Sequence, residues 1–438
     1  MSALALVARR RGIEVSGCDI DPRAAGDVVS AGARVYTGHS AEHAAGSRAV
    51  VYTSAVSLEH DELQEAARLG IPVVRRAEAL AEIVRGATVI GVAGTHGKTT
   101  TTAMLTEALV AAGNQPTGIV GGRVAAWEGN ARLGSDTLFV LEADEYDKSF
   151  LTLHPTIAIV NNVEADHLEC YGDFASLEGA FVEFAGRARR VLVGGDDPGA
   201  IRVGGRVGVP VWTVGLSDDA DVRIRDIVRH ATETEALIDL PDASHVRLRL
   251  RVPGLHNLRN AGMALGAVYA LGADVEKAAR ALAEFSGVGR RFEVVADIDG
   301  VTVVDDYAHH AAEISATIEA ARQRFPERQI IAVFQPHLYS RTQQQYEVLG
   351  GALQAADRVV VTDIYPAREK PIEGVTGKLV AGAAGGSGVP VDWVPDVTKL
   401  PGYLSSLIRA GDVVLMLGAG DITNSTSQLA RRLIEEAA

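Results

Sequence analysis

The run TVIGVAGTHGKTTTTAMLTEALVAAG, from Thr88 to Gly113, admits few folds. Six mostly apolar residues read as a strand, two glycines bound a turn, and the remainder has a helical pattern. A strand that turns through Gly94 and Gly97 into a helix gathers backbone N–H groups at one point, and the helix N-terminus adds positive potential. Lys98 stands where its ammonium would reach the outer phosphates of a nucleotide, and Thr99 where its hydroxyl would reach a divalent cation. The candidate phosphate contacts are Gly94, Thr95, His96, Gly97, Lys98, Thr99 and Thr100. The longer pattern G-x-x-x-x-G-K-[ST] calls for glycine at 92, where the chain has Val92.

The strand and helix signals repeat on either side of this loop. Residues 1–85 alternate helical stretches with short apolar runs such as EVSGCDI and AVVYTSA, which predicts a small parallel α/β domain of Rossmann type. The N-terminal MSALALVARRRG is itself an amphipathic helical pattern. Residues 86–288 carry further strand candidates, LFVLEAD, TIAIVNN and RVLVGG, as a P-loop ATPase-like parallel sheet. VRIRDIV and HVRLRLRV alternate with period two and predict an antiparallel appendage. Two glycines in FSGVGRRFE mark a hinge near 287–290. Residues 289–438 follow with VTVVDD, QIIAVFQ, DRVVVTDI and DVVLMLG separated by helices, a second Rossmann-like, doubly wound pattern. The expected fold class is therefore α/β in three domains.

Composition narrows the function. Of 438 residues, 42 are Lys or Arg and 56 are Asp or Glu, so the net charge is −14 and no broad surface for nucleic acid or an anionic membrane is expected. Two cysteines argue against a disulfide framework and fit a reducing cytoplasm. No apolar run has the length of a membrane span.

Polar clusters fall at the ends of the predicted strands, where open α/β sheets place their ligands. LEADEYD puts carboxylates after a strand, with Glu142 nearest its end and suited to Mg²⁺, which prefers a few hard oxygens. NNVEADHLECYGDF adds Asp166 and His167, a candidate second metal or phosphate contact. Cys170 lies close by without the spacing of a zinc site. Asn257 and Asn260 share a helical face and could read one flat ligand edge such as adenine, although asparagine is also a frequent helix cap. Arg290 and Arg291 lie at the hinge, where arginine can face a transferring phosphoryl group. Asp306, His309 and His310 follow one strand and His337 and Arg341 the next, as in a pocket for carboxylates or phosphates.

With these motifs in order, GTHGKTTT, EADEYDKSF, NNVEADHLECYGDF, HNLRNAGMA, GVGRRFE, DDYAHHAAEI, FQPHLYSRT and GAGDI, the chain resembles the Mur ligase family over nearly its whole length. That family uses G-T-x-G-K-[ST], which accounts for Val92. The resemblance implies an ATP-dependent carboxylate–amine ligase whose three domains bind UDP-sugar, ATP and amino acid in turn. It is closest to members that join L-alanine to UDP-N-acetylmuramate, the alternative being members that attach a preformed peptide. The implied cofactors are ATP and Mg²⁺, and the implied form is a monomer or weak homodimer in the cytoplasm. Lys98 would hold the β- and γ-phosphates, Thr99 and Glu142 one Mg²⁺, and His167 a second. Asn257 and Asn260 would read adenine, Arg291 would face the phosphates, and Asp306 would contact ribose or the hinge. Tyr307, His309, His337 and Arg341 would line the pocket for the amino acid and the sugar-borne carboxylate.

Three positions depart from the family pattern. Leu338 stands where many relatives have arginine, and Tyr146 where serine is frequent. Met1 and Ser2 match only the end of an opening G-I-G-G-I-G-M-S loop, so a start upstream of Met1 is expected rather than a crippled UDP site.

Overall fold

The computed structural model describes residues 1–21, 25–367 and 369–437. Its largest element is a ten-stranded sheet. From one edge the order is His245–Leu250, Thr234–Asp239, Val222–Arg229, Val211–Gly215, Arg190–Gly194, Ile157–Val160, Thr88–Ala93, Leu138–Glu142, Thr117–Val124 and Gly129–Arg132. From Val222–Arg229 to Thr117–Val124 every pairing is parallel, and Gly129–Arg132 pairs antiparallel with Thr117–Val124. The central strands are buried on both faces, as their Val- and Ile-rich runs require.

The chain order places a ligand site in this sheet. After Thr88–Ala93 the chain builds Thr117–Val124 and Leu138–Glu142 on one side, then crosses to Ile157–Val160 on the other. Such a reversal leaves a crevice at the carboxyl end of the shared strand. Gly94 begins there, flanked by Ala143, whose N–H donates to Val92 O at 2.8 Å, and by Asn161, whose N–H donates to Ala93 O at 3.0 Å.

Residues 1–85 form two separate two-stranded parallel ladders, Ser16–Asp19 with Arg34–Thr37 and Val50–Tyr52 with Val73–Arg75. The predicted N-terminal helix is present as Ser2–Arg10, and its Ala3, Leu4 and Val7 join a cluster with Leu80, Val84 and Ala131. Thr152 Oγ1 donates to Ala77 O at 3.2 Å, a further tie between this region and the central residues.

The remaining sheet has six strands in the order Glu293–Ile298, Val301–Asp306, Asp412–Leu417, Gln329–Phe334, Arg358–Val361 and Val391–Trp393. All are parallel except Glu293–Ile298. Four of them are the predicted runs, and the two edge strands, Glu293–Ile298 and Val391–Trp393, are additional to those. By compactness the chain divides into two units, one holding Met1–Asp226, Ala236–Arg249 and Arg259–Glu284, the other Ile227–Glu235, Leu250–Leu258 and the chain from Phe285. Among the described residues no helix is long and apolar enough to cross a membrane.

Candidate functional site

In the first unit the phosphate loop is fixed from the neighbouring strand end. His96 N donates to Asn162 Oδ1 at 2.7 Å, Thr95 N to Asn162 O at 3.1 Å, and Asn161 Nδ2 to His96 O at 3.2 Å. Gly94 has φ +136° and Gly97 φ +79°, conformations open to glycine. A Cβ on Gly97 would lie 2.6 Å from Asn260 Oδ1, and one on Gly94 3.0 Å from Asn161 Cβ. The loop therefore needs both glycines for space as well as for backbone. Helix Lys98–Ala111 starts at Gly97 with no side chain capping its first N–H groups, which suits an anion there.

Lys98 is folded back onto the loop. Its Nζ donates to Gly94 O at 2.6 Å and to Glu145 Oε1 at 2.9 Å. Burial pulls the ammonium toward its neutral form, but Glu145 and then Asp144 outweigh that and its pKa ends raised. Burial is also the largest influence on Glu145 and raises its carboxyl, with Lys98 acting in the opposite direction. Tyr171 Oη donates to Glu145 O at 2.6 Å and holds that residue in place. Glu145 was within the motif quoted from the sequence but was not singled out, because its partner lies 47 residues away.

The hard-oxygen donors suit Mg²⁺ in kind. Thr99 is buried at the helix start, and Glu142 at its strand end accepts from Gly121 N at 2.6 Å. Glu142 and Asp144 line a small cleft with Arg76, Ser149 and Thr152. His167 is held elsewhere by its own neighbours, at 3.5 Å from Asp166 Oδ2 and 3.4 Å from Glu169 Oε1, with the Tyr146 ring at 5.1 Å. Among the described residues no cluster of three metal-ligating side chains joins Glu142 with His167.

The two asparagines have separate contacts. Asn257 Nδ2 donates to Pro253 O at 2.7 Å, a bond at the start of its own helix, while Asn260 lies against Gly97.

In the second unit the ends of Val301–Asp306 and Gln329–Phe334 bring the predicted His and Arg residues together. The His309 and His337 rings are 5.6 Å apart, His309 and Tyr307 5.3 Å, and His337 stacks on Tyr365 at 5.8 Å. His309 Nδ1 is 3.0 Å from Tyr307 O, and a carbonyl only accepts, so Nδ1 carries the proton and Nε2 the lone pair. Burial, followed by the charges of His310 and Arg341 against that of Glu313, lowers the His309 pKa well below its ordinary value. Arg341 is buried beside this group. Glu313, which the sequence reading did not assign, accepts from His309 N at 3.0 Å and lies 3.4 Å from Arg291 Nη1. Arg291 also sits over the Tyr307 ring at 5.3 Å.

Asp306 has an internal task. Its Oδ2 accepts from Phe292 N and its Oδ1 from Ala308 N, each at 2.8 Å, so it ties the hinge segment to the strand end. Both oxygens accept from backbone N–H groups.

Comparisons with known proteins place the chain among relatives. Family models match in sequence along the chain: the Mur ligase family catalytic domain over 1–88, the Mur ligase middle domain over 92–268, and the Mur ligase glutamate ligase domain over 290–420. The UDP-N-acetylmuramate–L-alanine ligase of Salinibacter ruber is 43% identical, covering 96% of this chain and 90% of the relative. That of Streptomyces coelicolor is 43% identical, covering 100% and 95%. The crystal structure of UDP-N-acetylmuramate–alanine ligase from Thermotoga maritima superposes with a TM-score of 0.84 at 29% identity, covering 100% of this chain and 97% of that one. A murein peptide ligase from Psychrobacter arcticus shares the fold at a TM-score of 0.73 and 24% identity, covering 99% and 96%. The chain belongs to the Mur ligase family.

Proposed function

We propose that this chain joins L-alanine to the carboxylate of UDP-N-acetylmuramate at the expense of ATP, the first peptide-adding step toward peptidoglycan. The observation that carries this reading is the phosphate loop, an uncapped helix N-terminus with a buried lysine held against it by Glu145. A carboxylate is a poor electrophile, and phosphorylation turns one of its oxygens into a leaving group. In this reading a carboxylate oxygen attacks the γ-phosphorus, ADP leaves, and an acyl phosphate forms. The amine of L-alanine then attacks the acyl carbon, loses a proton, and expels phosphate.

Lys98 exchanges Glu145 for the β- and γ-phosphates and neutralises charge as it moves to ADP. Gly94 to Thr100 enclose the phosphates through their N–H groups, and Asn260 stands beside the loop. Thr99 and Glu142 would hold Mg²⁺, which would supply further charge neutralisation on the phosphates. His167 would hold a second Mg²⁺ if it turned from Asp166 and Glu169, which it now faces. The buried Arg341 and His337 are suited to a carboxylate, and the lone pair on Nε2 of His309 is suited to take the proton from the amine. Arg291, tied to Glu313, is suited to face phosphate. The three domain limits we propose are 1–85, 86–288 and 289–438, which bind UDP-sugar, nucleotide and amino acid respectively, in a cytoplasmic monomer or weak homodimer.

Phosphate release with UDP-N-acetylmuramate and ATP, measured with L-alanine, glycine, L-serine or a tripeptide as acceptor, tests the proposal. Release that depends on L-alanine supports it. Release that depends on the tripeptide instead, or on neither substrate, overturns it.

A further inference from the structure

Within residues 1–85 three elements aim metal-ligating side chains at one point. Cys18 comes from the strand Ser16–Asp19, His43 from the short helical turn Ala41–Ala44, and Glu62 from the first turn of helix Asp61–Arg68. Cys18 Sγ is 3.0 Å from Glu62 Oε1 and 3.1 Å from Oε2, and His43 Nδ1 is 2.8 Å from Glu62 Oε1. One ligand atom from each residue lies within 4.8 Å of the others. Ligand atoms around a tetrahedral Zn²⁺ are separated by about 3–4 Å, as bond lengths near 2.0–2.3 Å dictate. Both cysteines of the chain are free.

We propose that Cys18, His43 and Glu62 form a binding site for a borderline-soft divalent cation, Zn²⁺ being the ion that the donor set fits. On binding, the Cys18 thiol gives up its proton, and His43 ligates through Nδ1 with its own proton on Nε2. One thiolate and one carboxylate then balance the charge of the ion. The fourth position lies beside His39, whose Nδ1 is 3.2 Å from Cys18 Sγ and 3.9 Å from Glu62 Oε1.

Surrounding groups orient the ligands as outer partners of metal sites do. The Tyr36 ring stacks on His43 at 4.3 Å and 10°, and Ser40 N donates to Glu62 Oε1 at 3.1 Å. A sulfur and an imidazole among the donors select against Mg²⁺, which takes oxygen, so this site and the hard-oxygen set at Thr99 and Glu142 would not compete for one ion. The ligands come from segments spread over 45 residues, so the ion would clamp a region whose ladders are short.

The test uses the full-length protein, stripped with a chelator under reducing, anaerobic conditions and titrated with Co²⁺ alone. The expected result is a thiolate-to-cobalt charge-transfer band that saturates at one ion per chain, is bleached by Zn²⁺ and survives excess Mg²⁺. Cys18→Ser should lose the band while keeping a wild-type circular dichroism spectrum, and Cys170→Ser should keep it. His43→Gln and Glu62→Gln should each weaken binding by at least about tenfold. Absence of the band in the wild-type protein, its survival in Cys18→Ser, or its loss to Mg²⁺ would overturn the proposal and leave the three residues as a hydrogen-bonded cluster.

Discussion

The ammonium of Lys98 lies 2.9 Å from a Glu145 carboxylate whose side chain is only 2% exposed. Removing the lysine leaves that carboxylate buried without a counter-ion, a loss of about 3–5 kcal/mol when one partner of such a pair is taken away. Lys98→Ala is expected to abolish L-alanine-dependent phosphate release and to lower the urea midpoint. Adding Glu145→Gln should recover most of the stability and none of the turnover. Near wild-type turnover in Lys98→Ala would exclude the role given to the lysine, whatever happened to stability.

Gly97 allows an equally local test. Alanine there would meet both a φ of +79° and a Cβ 2.6 Å from Asn260 Oδ1. The backbone strain alone is about 1–3 kcal/mol. Gly97→Ala should fold with reduced stability and lose ATP binding by isothermal titration calorimetry. Gly113→Ala, at φ +88° with nothing near its Cβ, should carry the strain without the loss of binding.

Glu142 should govern the Mg²⁺ requirement. Glu142→Ala removes the carboxylate held by Gly121 N and should raise the Mg²⁺ concentration giving half-maximal turnover by about 10–100-fold. An unchanged Mg²⁺ dependence would assign the ion to other ligands.

Asp306 sets a pH dependence of stability. Burial pushes its carboxyl from 3.8 up to about 6, with Arg291 and the N–H groups of Phe292 and Ala308 pulling the other way. The folded chain thus holds this proton more tightly than the unfolded one. The contribution is fully present below about pH 4 and is lost as the pH rises through about 6, an amount of about 3 kcal/mol. Asp306→Asn does not titrate, so its cost relative to wild type should shrink by about that amount between pH 4 and pH 7. Urea unfolding of both proteins at the two pH values measures it, and a cost that grew with pH would contradict the burial argument.

What could be read from the sequence was what repeats along the chain. TVIGVAGTHGKTTTT became the strand Thr88–Ala93 and the helix Lys98–Ala111, and LFVLE, IAIV and RVLVG became neighbouring strands because their apolar runs are buried on both faces. Partnerships across the fold were not legible. Asn162 lies 66 residues from the His96 N–H that it holds, and neither its spacing nor its type announces that bond. Asn257 donates to the Pro253 carbonyl and Asp306 accepts from two backbone N–H groups, contacts that the residue types alone did not announce. In residues 1–85 the runs are three or four residues long and half exposed, so alternation signalled strands but gave no hint that they pair as two separate ladders.

Those two ladders set a local stability unlike that of the rest of the chain. Two-stranded sheets are marginal alone, and each of these leans on half-exposed side chains while Thr88–Ala93 and its neighbours are closed on both faces. Amide protons at 16–19, 34–37, 50–52 and 73–75 should therefore exchange with solvent through a partial opening that leaves the central sheet protected. Residues 1–85 would then breathe on a faster clock than the phosphate loop, and a ligand that orders them would slow that exchange.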